Sequence, residues 1–297
     1  MTISALQLAT LPLSQSRIDY YIKLASDRGS RIVLLGEYNL NSFFWELKAL
    51  PKSMIREQTE RQSALMGELS AKHGVTIVAP IIREDARGWL KGIGKFDGAK
   101  CDFWAQNFLI SYDHWDENAF FANRLARTPI AAPIFEIDGF RFSALCGFDM
   151  HFDACFDALI GAGVDCILCP SACTLGSNER WEMLLRMRAF TQNAYVLRAN
   201  RVGSSAFEGR TYDFYGESLL ISPSGKIIQS LNDKEGILAC EISREEISEA
   251  KNLWKFGQIY RDKQTNLGEI SEQISNASGQ NLGEISSIFA PAPDADK

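Results

Sequence analysis

Short apolar runs alternate with amphipathic stretches along most of the chain, and this alternation predicts strands interleaved with helices. The runs at residues 3–8 and 31–35 are typical of buried strands, whereas residues 14–28 repeat apolar side chains at helical spacing. The same periodicities predict further strands at 75–82, 140–146, 164–168, 194–199, 215–221, 227–230 and 237–242, and further helices at 51–73, 152–162 and 181–193. Interleaved strands and helices over this length indicate an α/β layered fold.

Composition narrows the class of protein. The chain has 297 residues, of which 46% are hydrophobic and 23% charged, as in an ordinary globular protein. A formal net charge of -6 argues against nucleic acid or an anionic membrane surface as a partner. No apolar run approaches the ~20 residues that span a bilayer, and the first residues lack the basic region and apolar core of a secretory leader. We therefore expect a cytoplasmic protein.

The seven cysteines, an odd number, favour reduced thiols over a disulfide framework. Cys166, Cys169 and Cys173 lie close enough in sequence to suggest a metal site. However, Cys166 and Cys169 are separated by an odd number of positions on a predicted strand, which sends their side chains to opposite faces. We expect neither a metal nor another cofactor.

Residues 138–152, DGFRFSALCGFDMHF, carry the most specific motif. They resemble the strand and turn that hold the nucleophilic cysteine of the nitrilase superfamily of carbon-nitrogen hydrolases. In that family the run is approximately two hydrophobic residues, Cys, Tyr or Glu, and Asp, with a Phe three residues after the Asp. Matching the Phe-Asp pair and the later Phe puts Gly147 on the nucleophile position, one residue after Cys146.

Other segments carry the same resemblance in the same order along about the first 245 residues. Residues 34–37 (LLGE) look like the strand end that presents the family's catalytic glutamate. Residues 163–172 (GVDCILCPSA) are similar to the strand that follows the nucleophile helix. Residues 188–203 are similar to the family's later helix and Ala-Asn-Arg strand, and residues 215–225 to its Gly-x-Ser and Pro-x-Gly pair.

The resemblance implies a four-layer α-β-β-α sandwich, usually dimerised through its helices. It also implies a cysteine thiolate as nucleophile, a glutamate as general base and acid, and a lysine that stabilises the oxyanion with a backbone N–H. Glu37 matches the glutamate. The lysine position falls on Gln106, and no lysine occurs between Lys100 and Lys226. Gln106 would donate only a neutral hydrogen bond.

The cysteine is displaced as well. If residues 140–146 form a strand, Cys146 shares a face with Phe142 and Ala144, whereas Gly147 belongs to the other face. Cys146 would then point away from the pocket, unless a bulge or the following turn re-aims it. Cys173 is a second candidate nucleophile, but the sequence shows no neighbouring cation to lower its pKa.

The remaining pocket candidates follow Gln106 or flank Gly147. Many family members have a second pocket glutamate after the lysine, and Glu117 could fill that role. The alternative interpretation of this polar run is a solvated loop. Tyr112, Phe148 and Cys173 are the other side chains expected to contact a ligand.

Three functions are compatible with these residues. The first is a divergent homologue that binds a small amide or carboxylate in a pocket around Glu37, with impaired or altered catalysis. The second is an active amidase for a small linear amide, with Cys146 as nucleophile and Glu37 as general base. A remoter third is a non-catalytic subunit of an assembly. We favour the first, because losing one oxyanion donor costs about 10² to 10³ in rate and losing a nucleophile costs more. A homodimer or larger homo-oligomer is expected.

The composition changes near Gln264 to Ser, Asn, Gln, Gly and Pro, and the hexapeptide NLGEIS occurs at Asn266 and again at Asn281. Such a segment buries little apolar surface, so we expect residues 1–262 to form the domain and residues 263–297 a flexible tail. Two copies are too few for a solenoid. A tandem duplication in an unconstrained tail is favoured over a short docking peptide.

Deletion of residues 265–297 tests this boundary. Because the segment has few large apolar side chains, its removal should change the melting temperature by less than about 2 °C. Differential scanning calorimetry of the full chain and the truncated chain measures the change. A larger fall would mean that the repeated motif packs on the domain or on a second copy of it.

Overall fold

The computed structural model describes residues 1–11, 15–126, 129–174, 176–207 and 209–265. Two six-stranded sheets form the centre of the molecule. Strands are numbered along the chain. The first sheet contains β1 (Thr2–Gln7), β2 (Ser30–Leu35), β3 (Thr76–Asp85), β4 (Gly88–Asp97), β5 (Lys100–Ala105) and β16 (Gly236–Glu241). The second contains β8 (Ile134–Ile137), β9 (Phe140–Ala144), β10 (Cys166–Ser171), β11 (Tyr195–Asn200), β14 (Leu219–Ile221) and β15 (Ile227–Ser230).

Two short hairpins complete the strands. They are β6 (Ser111–Tyr112) with β7 (Trp115–Asp116), and β12 (Val202–Phe207) with β13 (Arg210–Tyr215). The helices are α1 (Gln15–Asp27), α2 (Phe44–Lys48), α3 (Lys52–His73), α4 (Asp157–Ala162), α5 (Asn178–Gln192) and α6 (Arg244–Trp254). Residues 256–265 are also helical and cross the expected domain boundary at residue 262, whereas the repeated hexapeptides lie outside the described residues.

Apolar side chains fill three layers. The inner faces of the two sheets share one core, to which Leu34, Phe142 and Leu197 belong. Helices α1 and α3 cover the outer face of the first sheet, and α4 and α5 cover that of the second. This arrangement is the four-layer α-β-β-α sandwich, and it confirms the predicted fold class. No helix among the described residues combines the length and apolar character that a membrane span requires.

Parallel pairing brings the strand ends together. β2 lies between β1 and β3 and is parallel to both, while β10 lies parallel to β9 and β11. The chain leaves the carboxyl ends of β2, β9 and β10 into Glu37, Gly147 and Ala172 respectively. Because these ends meet at one edge of the two-sheet core, residues far apart in sequence are gathered there.

Two predicted elements differ from the structure by more than a few terminal residues. The helix expected at residues 152–162 contains only α4, because the chain first makes the 3₁₀ turns Gly147–His151 and Asp153–Cys155. Asp149 accepts backbone N–H bonds from Asn107 and Phe108, which holds this segment in its turn. The strand expected at 215–221 is interrupted between Tyr215 and Leu219, where Glu217 adopts a positive φ of 57°.

Candidate functional site

Glu37 lies where the two sheets meet. Its backbone N–H donates to Ser171 O over 3.2 Å, which joins the end of β2 to the end of β10. The residue is only 5% exposed, although a glutamate is costly to bury without partners. The next residue, Tyr38, has a φ of 58°, a left-handed conformation that is uncommon for an aromatic side chain. This sharp turn directs the Glu37 and Tyr38 side chains to the same group.

That group is the ammonium of Lys91, on β4. Its Nζ lies 2.7 Å from Glu37 Oε2 and 2.7 Å from Glu117 Oε1. The ammonium also lies over the Tyr38 ring, 4.8 Å from its centroid, and the Tyr38 hydroxyl donates to Glu117 Oε1 over 2.6 Å. All four side chains are buried. We refer to Glu37, Lys91 and Glu117 as the carboxylate–lysine cluster.

The electrostatics of the cluster follow from burial and from its mutual charges. Burial raises the pKa of Glu37, against the attraction of Lys91, and the charge of Glu117 raises it further. Burial alone would lower the pKa of Lys91, but the carboxylates of Glu117 and Glu37 outweigh it and hold that pKa well above its usual value. The lysine is therefore charged at neutral pH, and two carboxylates share one ammonium.

Gly147 faces this cluster with its backbone. Its N–H donates to Glu37 Oε1 over 2.8 Å. A Cβ atom at this position would lie 3.4 Å from Glu37 Oε1, 3.1 Å from Ser171 Cβ and 3.3 Å from the Trp181 ring. The residue that the sequence aligns with the nucleophile is thus beside the glutamate, but it presents a donor instead of a thiol, and the indole of Trp181 stands against it.

The neighbouring Cys146 is fully buried in the core between the sheets, together with Phe142 and Ala144. Burial, reinforced by the charge of Glu37, raises the pKa of its thiol well above the usual value. Cys146 is therefore a neutral thiol among apolar side chains.

Cys173 is also buried, and burial raises the pKa of its thiol despite the opposing effect of the Arg198 guanidinium. The sequence alone indicated no cation for this cysteine. That expectation was wrong, because β11 places Arg198 beside it, 25 positions along the chain. Even so, the thiol remains neutral.

The side chain of Gln106 is not bonded to the charged groups of the carboxylate–lysine cluster. Its Nε2 donates to Phe108 O over 2.6 Å, and its buried Oε1 has no hydrogen-bond partner among the described residues. Its backbone N–H donates to Lys91 O over 2.9 Å, so the two residues are opposite each other on the β4–β5 hairpin. The Asn123 side chain binds both backbones, accepting from Lys91 N and donating to Lys91 O and Gln106 O.

Lys91 is a site residue that the sequence motifs did not identify. The family motif places its lysine in the segment after Lys100, and Lys91 belongs to the preceding strand. A signal was present nonetheless. Lys91 interrupts the otherwise uncharged run WLKGIG (residues 89–94), and a lysine there is buried only if it finds a carboxylate.

The other predicted contacts lie at different depths. Glu117 is fully buried, so the alternative of a solvated loop does not hold for it. Tyr112 is 50% exposed, and its ring lies edge-on to Phe148 at 5.9 Å. Phe148 in turn contacts His151, whose ring lies 4.9 Å from Trp181. These side chains form a continuous series of ring contacts from the exposed Tyr112 to the Trp181 indole beside Gly147.

Comparison with known proteins identifies the family. Residues 14–252 match the family described as carbon-nitrogen hydrolase. The chain belongs to this family.

Among curated carbon-nitrogen hydrolases, it is similar to N-carbamoylputrescine amidase of Oryza sativa subsp. japonica, with 27% identity over 134 residues, or 41% of this chain and 44% of the relative. It is also similar to 2-oxoglutaramate amidase of Bacillus subtilis (strain 168), with 28% identity over 129 residues, 43% of this chain and 48% of the relative. The matched stretches thus span about half the length of these relatives.

Solved structures of carbon-nitrogen hydrolases have the same fold. A carbon-nitrogen hydrolase from Helicobacter pylori G27 superimposes with a TM-score of 0.74 at 20% identity, covering 86% of this chain and 94% of that chain. A mutant of the Nesterenkonia AN1 amidase gives a TM-score of 0.72 at 18% identity, covering 90% and 96%.

Asp149 connects the turn after Gly147 to the loop after β5. Its Oδ1 accepts from Phe108 N over 2.8 Å, and its Oδ2 accepts from the backbone and side-chain nitrogens of Asn107 over 3.2 and 3.3 Å. Burial raises the pKa of this carboxyl to about 7, although these N–H donors oppose the shift, and the charge of Glu37 adds to it.

This shift predicts a pH dependence of stability. The pKa is about 7 in the folded protein and about 3.9 in the unfolded chain. Between these values the folded protein holds a proton that the unfolded chain has released, so the contribution of Asp149 is full at low pH and is lost as pH rises towards 7. The free energy of unfolding should fall by about 1 kcal/mol per pH unit over this window from this group.

Asp149→Asn removes the titration, so urea denaturation between pH 4.5 and 8 should show a flatter profile for this variant than for the parent. The slope is compared, not the absolute stability, because an amide cannot accept all of the N–H bonds. Parallel profiles would contradict the assignment.

Proposed function

We propose that this carbon-nitrogen hydrolase homologue binds a small amide or carboxylate in the pocket around Glu37 and does not form the thioester of an amidase. The observation that carries the proposal is the contact between Gly147 N and Glu37 Oε1 at 2.8 Å, in the place where the family aligns a cysteine. A backbone N–H can bind a ligand but cannot attack it.

The groups around Glu37 match the hydrogen-bonding needs of an amide. An amide N–H needs an acceptor, which Glu37 supplies, and an amide oxygen needs donors, which Lys91 Nζ and Gly147 N supply. In the structure these groups are bonded to one another. A ligand would enter by exchanging these bonds for its own, which is less costly than exposing a buried charge without a partner.

The amidase alternative depends on Cys146. Its sulfur belongs to the core between the sheets, and its raised pKa keeps it as a thiol, whereas the thiolate is the nucleophile. Formation of the thiolate at this fully buried position is costly. This cost supports binding without acyl transfer.

A second candidate activity is slow hydrolysis without a covalent intermediate. The raised pKa of Glu37 favours it, because a carboxylate with a higher pKa is a stronger general base. Glu37 would take a proton from water as the water oxygen attacks the amide carbon, and Lys91 would stabilise the resulting oxyanion. Glu37 would then pass the proton to the nitrogen as the C–N bond breaks. The products are a carboxylate and an amine.

Butyramide distinguishes these activities. The compound should bind and therefore raise the melting temperature of the parent protein. No initial burst of ammonia is expected. Intact-mass spectra should show no acyl adduct. An adduct on the peptide that contains Cys146 would establish the amidase alternative. Steady ammonia release without an adduct, lost in Glu37→Gln, would establish direct hydrolysis.

Restoring a nucleophile tests the geometry. In Gly147→Cys the new thiol should react with iodoacetamide about tenfold faster than in the double variant Gly147→Cys with Lys91→Met, because the ammonium lowers the thiol pKa and favours the reactive thiolate. Alkylation of the residue-147 peptide, followed by mass spectrometry, measures both rates. Gly147→Ser with the native cysteines provides the background. Equal rates would mean that Lys91 does not act on this position.

We also infer a homodimer that forms through the outer helices. Met183 and Met187 on α5 are 64% and 57% exposed, and Leu253 on α6 is 73% exposed. Large exposed apolar side chains on neighbouring helices are typical of an interface. They support the assembly expected from the resemblance.

Multi-angle light scattering tests the assembly. The parent should have about twice the mass of one chain, and the double variant Met183→Lys with Met187→Lys should have the mass of one chain, because two buried ammonium groups oppose association. Met54→Lys on α3, where the side chain is 53% exposed, is the matched control and should remain dimeric. A parent that is monomeric at a loading concentration of about 50 µM would contradict the inference.

A further inference from the structure

Arg198 is a buried cation that forms no ion pair with a carboxylate among the residues that the structure describes. It lies on β11, opposite Cys169 on β10, and is 1% exposed. Its Nε donates to Ser171 Oγ over 3.0 Å and its Nη2 to the Tyr215 hydroxyl over 2.8 Å. Within the described part of the chain, its partners are hydroxyls and thiols, and no ion pair to Asp or Glu is present.

This arrangement is unusual on physical grounds. A guanidinium removed from water normally has a carboxylate or phosphate partner, because hydroxyl groups offset only part of the lost hydration. Burial opposes the charge of Arg198, but a guanidinium keeps its proton at any physiological pH, so the charge is retained. An anion from outside the chain would supply the missing partner.

Arg198 lies beside the carboxylate–lysine cluster, with Ser171 between them. The Ser171 backbone oxygen accepts from Glu37 N, its Oγ accepts from Arg198 Nε, and its Cβ lies 3.1 Å from where a Cβ of Gly147 would be. The Trp181 ring lies against both Gly147 and Arg198. It lies 3.3 Å from the Gly147 Cβ position and its centroid is 5.3 Å from Arg198 Cζ.

We propose that Arg198 binds a carboxylate of the ligand, so that the pocket takes a short amide with a carboxylate at its other end. This inference rests on the proposed function, since it places the amide group at Glu37, Lys91 and Gly147. One serine side chain separates the two ends, and a linker of two or three carbons fits that separation.

The local chemistry suits this ligand. Arginine matches a carboxylate with two parallel N–H bonds, and these charge-assisted bonds are about twice as strong as neutral ones. Ser171 and Tyr215 accept from the guanidinium. The Ser171 hydroxyl donates to Asn200 Oδ1 over 3.1 Å, whereas the Tyr215 hydroxyl can rotate to donate to the same carboxylate. Cys173 offers an alternative use for the charge, as an activated thiolate, but burial keeps this thiol neutral, and the geometry favours the ligand.

Arg201 provides a matched comparison on the same segment of chain. It is 2% exposed, and its Nε and Nη1 have no hydrogen-bond partner among the described residues. Its guanidinium lies 4.1 Å from the Phe214 ring centroid and donates from Nη2 to Thr10 Oγ1. It belongs to a different aromatic environment from that of Trp181 and therefore shows the general effect of removing a buried arginine.

The test compares sodium succinamate with butyramide, which has a methyl group in place of the carboxylate. Isothermal titration calorimetry on the parent should show succinamate binding about 10- to 100-fold tighter. In Arg198→Met this preference should disappear while butyramide affinity changes by less than about threefold, because the amide contacts are intact. Arg201→Met should keep the preference, and Arg198→Lys should keep part of it.

The outcomes separate the two levels of the proposal. If butyramide and succinamate bind the parent equally well, the role of Arg198 is overturned but the proposed pocket is not. This comparison uses only the parent protein, so it does not depend on the folding of a variant. A preference that persists in Arg198→Met, or is lost in Arg201→Met instead, would also overturn it. If neither compound binds the parent, the proposed function fails and this inference fails with it.

Discussion

The site depends on one buried ammonium. Lys91 Nζ lies 2.7 Å from carboxylates on two other segments, and removal of a buried partner of this kind typically costs about 3–5 kcal/mol because the remaining charge is left without compensation. Glu37 follows a central strand of the first sheet, and Glu117 follows a hairpin outside it. Without the lysine, two buried carboxylates would face each other, and one would have to take up a proton or move to solvent. The loop that carries Glu117 is attached to β4 by this ion pair, by the Asn123 side chain bonded to the Lys91 backbone, and by Ala122 N, which donates to Trp89 O over 2.8 Å.

The sequence predicts the fold and part of the site for a physical reason. Strand alternation fixes which face a side chain occupies, so the inward direction of Phe142, Ala144 and Cys146 follows from the pattern alone. Glu37 is found by its place after a buried run. Both predictions use local properties of the chain, and such predictions hold when the strands and helices pack as expected.

What the sequence did not predict depends on pairing between strands. Lys91 and Gln106 are fifteen positions apart, yet they are opposite each other in the β4–β5 hairpin. Only this register shows that Lys91 lies next to Gln106, the residue that aligns with the family's lysine. The same holds for Arg198. In sequence it belongs to a strand of core residues, and its neighbours Ser171 and Tyr215 come from other segments. A linear motif cannot contain these contacts.

The indole of Trp181 limits which side chains residue 147 could carry. The indole lies 3.3 Å from the point that a Cβ would occupy, so the volume of any side chain there is already in use. Glycine at 147 and tryptophan at 181 are thus coupled by shape, and a cysteine at 147 would be tolerated only to the extent that the ring yields. The order of substitutions therefore matters, because a smaller residue at position 181 on α5 would have to come first for a cysteine at 147 to be accommodated without loss of stability.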